Sequence, residues 1–271
     1  MAEQLTAVLQ PVENLGLCRP EEPNEDALDR VVVLGLPLAR LDNSGTVDQV
    51  DRLIERGRPA FFITANLHYA MLTDRDPRLI AVNRKAAFLV ADGMPLIWCS
   101  RVGRKPLPER VAGADLIYSL CRRAAERGHR VFFLGGAPGV AQEAARQLCR
   151  RYPRLQVAGI EAPELDRLSA GQNAALVARI RRATPDVLLA ALGQPKGELW
   201  LAENCRRLGV PACVQVGASF DFVAGRVPRA PRWLQRLGLE WAYRVWREPR
   251  RLATRYLRDA AFLAKAVWRG V

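Results

Sequence analysis

Short, almost continuous apolar runs recur along this chain, each closed by glycine or a polar residue and most followed by a stretch of helical periodicity. Residues 60–63, 87–91, 130–134, 155–159, 186–192 and 212–216 are such runs. Apolar runs that do not alternate with polar residues belong to strands buried on both faces, as in parallel sheets. Helical patterns lie between them, over 46–56, 67–83 with a break near Pro77, 94–102, 113–126, 140–151, 171–182 and 196–208. Strand and helix in alternation with short connections specify an α/β fold: a doubly wound, mainly parallel Rossmann-like sheet with helices on both faces. Residues 30–36 read as its first strand. The expected organisation is a flexible N-terminal tail over 1–28, this domain over 29–227, and a basic helical C-terminal appendage over 228–271.

Open sheets of this kind bind ligands outside the carboxyl ends of their strands. Two neighbouring runs end there in hydrogen-bonding residues: Thr64 and Asn66 after the first, Asp92 and Gly93 after the second. Asp92 closes an apolar run, so burial would raise its pKa and suit it to act as a base; the bland alternative is a cap on the helix beginning at Met94. Gly93 would let a ligand approach the backbone. Arg110 offers a permanently charged, bidentate grip on phosphate, with Asp115 capping a helix or orienting that guanidinium. Further on, Gly135, Gly136 and Gly139 lie between a strand and a helix. They make either a phosphate cradle or a plain tight turn, because the full dinucleotide fingerprint is absent. Asp221, beyond Gly217, could receive a nucleoside or cap a helix. Asp74-Arg75-Asp76 imitates a metal-binding D-x-D, but it sits mid-segment and reads as solvated charge or a helix cap.

The formal net charge is +13 over 271 residues, and from residue 225 onward there are twelve cations against three anions. Four of the six tryptophans also fall there. Arginines (Arg232, Arg236, Arg244, Arg247, Arg250, Arg251) interleaved with Trp233 and Trp241 suit an interfacial helix on an anionic membrane surface. The alternative is that the aromatics pack this tail onto the domain or onto a second copy of the chain. The six scattered cysteines read as reduced, packed thiols, and two distant histidines make a zinc site improbable. With no run of 18 apolar residues and no basic start followed by an apolar core, the expected location is cytoplasmic, peripheral to a membrane.

Taken in order, Thr64-x-Asn66, Asp92-Gly93, Arg110-x-x-Gly113-x-Asp115, Gly193-x-Pro195-Lys196-x-Glu198, Gly217-x-x-Phe220-Asp221, Arg229-Ala230-Pro231 and Leu239-Glu240-Trp241 resemble the WecG/TagA/CpsF glycosyltransferases over about residues 30–260. The resemblance implies inverting transfer of an N-acetylmannosamine, uronic acid or glucose-type residue from a UDP-sugar to a sugar on a polyprenyl diphosphate, at the inner face of a bacterial membrane. It implies an aspartate base, here Asp92, with no metal or other cofactor, and it puts Thr64, Asn66 and Glu198 in the substrate pocket. It also implies an appendage used for membrane association. Glycine stands at 197 where the family motif carries a pocket glutamine, so contacts there are altered, with Gln194 a candidate substitute. Two other classes compete. A nucleotide-dependent oxidoreductase would use the glycine-rich turn but lacks the acidic ribose ligand about 20 residues on. A nucleic-acid-binding protein would use the basic tail, a partner this reading does not expect.

Overall fold

The computed structural model describes residues 28–102, 105–236 and 238–268. All of the expected tail but Leu28, with Cys18, lies outside them, as do the side chains of Arg232, Arg236 and Arg251. One eight-stranded sheet organises the chain: β1 (Arg30–Val33), β2 (Leu36–Ala39), β3 (Phe61–Ala65), β4 (Leu89–Ala91), β5 (Arg130–Gly135), β6 (Gln156–Glu161), β7 (Val187–Ala191) and β8 (Ala212–Gln215). Their spatial order is β1-β2-β4-β3-β8-β7-β5-β6, and every pairing except β1 with β2 is parallel.

The expected first strand is in fact a hairpin. Leu34 and Gly35 both take positive φ, 49° and 77°, and between them they turn β1 back onto β2. Two consecutive left-handed residues make the tight turn whose twist matches the flanking strands. Apolar patterning passes straight through such a turn, so residues 30–36 look continuous in sequence.

Helices cover both faces. On one side lie α1 (Asn43–Arg56), α5 (Gly113–Arg127), α6 (Val140–Arg151) and α9 (Ser219–Val223), packed on Phe62, Val90, Phe133 and Val214. On the other lie α2 (Leu67–Arg75), α3 (Pro77–Lys85), α4 (Met94–Ser100), α7 (Ala170–Arg182) and α8 (Lys196–Leu208), packed on Phe61, Ile63, Leu89 and Leu188. Phe61 and Phe62 thus serve opposite cores, the two-residue period of a strand apolar on both faces. The break at Pro77 has a local cause: Asp76 Oδ1 accepts from Arg78 N–H at 3.0 Å, capping α3 with Pro77 at its first position.

After the sheet come α10 (Arg232–Arg236), α11 (Glu240–Arg247) and α12 (Pro249–Trp268). Leu252 of α12 is buried, Phe262 and Leu263 pack against the core that α2 and α8 share, and Trp241 meets Tyr256 in a tilted ring contact with centroids 5.8 Å apart. Trp233, Trp246 and Trp268 remain 61%, 72% and 87% exposed, so the segment packs inward and still leaves aromatic surface outside. No helix among the described residues is long and apolar enough to cross a membrane.

Candidate active site

A cavity of about 710 Å³ opens over the carboxyl ends of β3, β4, β7 and β8. Thr64, Asn66, Asp92, Gly93, Arg110, Gly136, Gln194, Gly217 and Asp221 all line it. β3 and β4 are direct neighbours, with Thr64 opposite Val90 and Ala65 opposite Ala91, which sets the two strand ends side by side.

Asp92 is bound into this corner from two directions. Its N–H donates to Ala65 O at 2.6 Å, and its Oδ2 accepts from Gly113 N–H, at the start of α5, at 3.3 Å. It does not cap α4, which Gly93 enters without a side-chain bond. Burial pushes the Asp92 carboxyl up to about 6, an effect that Glu240 reinforces and that Arg110, the Gly113 N–H and Arg244 oppose. At neutral pH most of the group is therefore still a carboxylate, and it is a stronger base than an exposed aspartate.

Two of the polar strand-end residues have structural work as well. Thr64 Oγ1 donates to Gln215 O at 2.9 Å, tying β3 to β8. Asn66 Oδ1 caps α2 by accepting from Tyr69 N–H at 3.0 Å, so what it has left to offer a ligand is its NH2 group. Gly135 is required by packing: a Cβ there would lie 2.6 Å from Ala191 O. Gly136 reaches the cavity wall, whereas Gly139 only begins α6 and does not. α9 begins at Ala218 without a side-chain cap, so the capping alternative for Asp221 is not realised.

Arg110 is held inside a small ionic cluster. Its Nη1 donates to Glu240 Oε2 at 3.1 Å, while Asp115 is 4.0 Å from Nη2. Asp115 is gripped instead by Arg229, at 2.5 and 2.6 Å, and Arg229 also reaches Glu240 at 3.3 Å. Arg244, expected on a membrane-facing surface, turns to the cavity and lies over the Phe222 ring at 5.5 Å, with its Nε buried and lacking a hydrogen-bond partner. Trp241 also borders the cavity, whereas Arg247 and Arg250 are exposed. Glu240 and Arg229 had no role assigned from sequence, although both lie in stretches that carry the resemblance. The same is true of His68, whose Nδ1 is 2.8 Å from Asp259 of α12.

Glu198 does not reach this cavity. It is 1% exposed within α8, neither carboxylate oxygen has a hydrogen-bond partner of good geometry, and burial raises it to about 7. Asp74 and Asp76 also lie away from the cavity, and among the described residues no three His, Cys, Asp or Glu side chains are grouped to hold a metal.

A sheet whose strand ends hold a partly buried carboxylate, with guanidinium groups lining the same cavity, has the makings of a group-transfer enzyme. The family model for the glycosyl transferase WecG/TagA/CpsF family matches residues 31–271, and the chain belongs to that family. Two relatives are similar over most of their length. An N-acetylglucosaminyldiphosphoundecaprenol N-acetyl-beta-D-mannosaminyltransferase of Bacillus spizizenii is 33% identical over 198 residues, covering 73% of this chain and 75% of the relative. The protein of the same description in Bacillus subtilis is 30% identical over 226 residues, covering 80% and 85%.

Proposed function

We propose that this glycosyltransferase moves a sugar from a UDP-sugar to a sugar carried on a polyprenyl diphosphate, with inversion, in bacterial polysaccharide or cell-wall glycopolymer synthesis. The observation that carries the reading is Asp92, a carboxylate raised to about 6 at the floor of a 710 Å³ cavity with Arg110 and Arg244 on its wall. The acceptor hydroxyl oxygen attacks the anomeric carbon as the bond from that carbon to the diphosphate oxygen breaks. Asp92 takes the hydroxyl proton, and UDP leaves with the electron pair. Arg110 and Arg244 stabilise the developing diphosphate charge; the buried, unpartnered Nε of Arg244 is a donor that an anionic ligand would complete. The strand-end turns at Gly136 and Gly217, with Asp221, would receive the nucleotide, and Thr64, Asn66, Gly93 and Gln194 the sugars. Glu198 enters only as a buried support beneath Gln194.

The relatives' names supply the acceptor class, N-acetylglucosamine on a polyprenyl diphosphate, and make N-acetylmannosamine the first donor sugar to try. An acceptor anchored in lipid would bring the enzyme to a membrane surface, and a UDP-sugar donor would make that the cytoplasmic face. The exposed Trp233, Trp246 and Trp268 beside the basic residues Arg247 and Arg250 fit that surface. The test is transfer from a panel of UDP-sugars to a lipid-diphosphate N-acetylglucosamine, followed by release of UDP. Product with one donor, lost in Asp92→Asn while UDP still binds, supports the reading; undiminished transfer by that variant sinks the assignment of the base.

A further inference from the structure

At position 197 the chain has no side chain, and the structure shows what takes the space. A Cβ on Gly197 would lie 2.2 Å from Gln215 Nε2 and 2.5 Å from Gln215 Cδ. A side chain at 197 and the observed Gln215 therefore exclude one another. Gln215 enters from the last position of β8 and not from α8, and it is 2% exposed. Its Oε1 accepts from Leu192 N–H at 3.1 Å, which determines the end of the amide that carries the NH2 group. That NH2 group is buried and has no hydrogen-bond partner, yet Gln215 lines the cavity beside Thr64 and Gln194. A buried donor left unpaired loses its water without a replacement, so an amide fixed at one end and unmet at the other calls for a ligand.

Building on the function proposed above, we infer that the Gln215 NH2 group is a sugar-binding donor, hydrogen-bonding a hydroxyl or N-acyl carbonyl oxygen of the donor or acceptor sugar. The open space at Gly197 is what admits it. This amide, delivered from the sheet, stands where a side chain from α8 would otherwise reach. Gln194, three residues before Gly197, borders the same cavity but does not fill that space.

The test compares the unaltered chain with Gln215→Met, Gly197→Gln and the double exchange Gly197→Gln/Gln215→Gly. It measures calorimetric affinity for UDP and for UDP-N-acetylmannosamine, the KM for a lipid-diphosphate N-acetylglucosamine, and the melting temperature. Gln215→Met should leave UDP affinity within about twofold while weakening UDP-sugar binding, or raising the acceptor KM, about tenfold, the size of one lost hydrogen bond. Whichever of the two moves names the sugar that Gln215 holds. Gly197→Gln alone should melt lower because two side chains compete for one space. The double exchange should recover both folding and sugar binding. If Gln215→Met binds the UDP-sugar and the acceptor as the unaltered chain does, the inference fails and the proposed function stands. If the unaltered chain binds no UDP-sugar and transfers nothing, both fail together.

Discussion

The two walls of the cavity are built differently. One is the ends of β3, β4, β7 and β8, where backbone hydrogen bonds and a two-sided apolar core hold Thr64, Asp92 and Gln215 in place. The other is the helical segment after residue 228, which contributes Glu240, Arg244 and Asp259, and which is held by ion pairs together with apolar contacts through Leu252, Phe262 and Leu263. The sheet wall carries a buried group whose proton affinity is shifted; the helical wall carries the charges that surround it. Chemistry that needs a fixed base beside mobile anions is served by that division, because packed strand ends hold geometry better than ion pairs do.

The largest effect should come from the sheet wall. Asp92→Asn should lower transfer about 10²- to 10⁴-fold with UDP affinity nearly unchanged, measured by product formation alongside calorimetry. Its stability should move the other way. A carboxyl raised from 3.8 to about 6 holds its proton in the folded protein after the unfolded chain has released it, so folding weakens as pH rises from about 4 to about 6. The amide escapes that penalty, and Asp92→Asn should melt no lower than the unaltered protein at pH 7.

On the helical wall, Arg244→Ala should weaken UDP binding about tenfold, as one lost charge-assisted hydrogen bond to phosphate would. A substitution there that matches the loss in Asp92→Asn would abolish the distinction between the walls. The pH dependence of kcat/KM sharpens it further: transfer should fall about tenfold per pH unit below about 6 as Asp92 takes up its proton. Arg229→Ala should shift the melting temperature downward by a smaller amount, since its partner Asp115 is half exposed, and should raise KM before it touches kcat. The smallest effect on transfer belongs to Glu198, which lies outside the cavity and is raised by burial to about 7. Glu198→Gln should leave the melting temperature unchanged only below about pH 4, where the carboxyl is neutral in both the folded and the unfolded chain, and should become stabilising as pH rises from about 4.5 to about 7, as read by thermal melts.

Much of the sheet wall was legible. Asp92 stands out because a carboxylate closing an apolar run has few bland explanations, and the one considered, a cap on α4, is absent. Arg110 was read as a phosphate candidate with Asp115 capping a helix or orienting it; Asp115 does lie 4.0 Å from Arg110, but its hydrogen bonds come from Arg229, 114 residues away, and Arg110 donates to Glu240, 130 residues away. No local spacing encodes pairs so distant. Arg244 was assigned to a membrane face because its neighbours are aromatic and basic; which side of α11 meets the domain depends on how the helix docks. The hairpin at Leu34-Gly35 was missed because an apolar turn leaves the pattern unbroken.

The sequence alone therefore determined the layered sheet, since two-sided apolar runs can be buried only between helices, and with it the edge where a site must form. Tertiary structure decided what depends on meetings across the chain: the ionic cluster around Arg110, the turn of Arg244 into the cavity, and the fit of Gln215 into the space at Gly197. Periodicity is a local property carried by neighbouring residues, whereas the partner of a buried charge or amide is set by where remote elements pack.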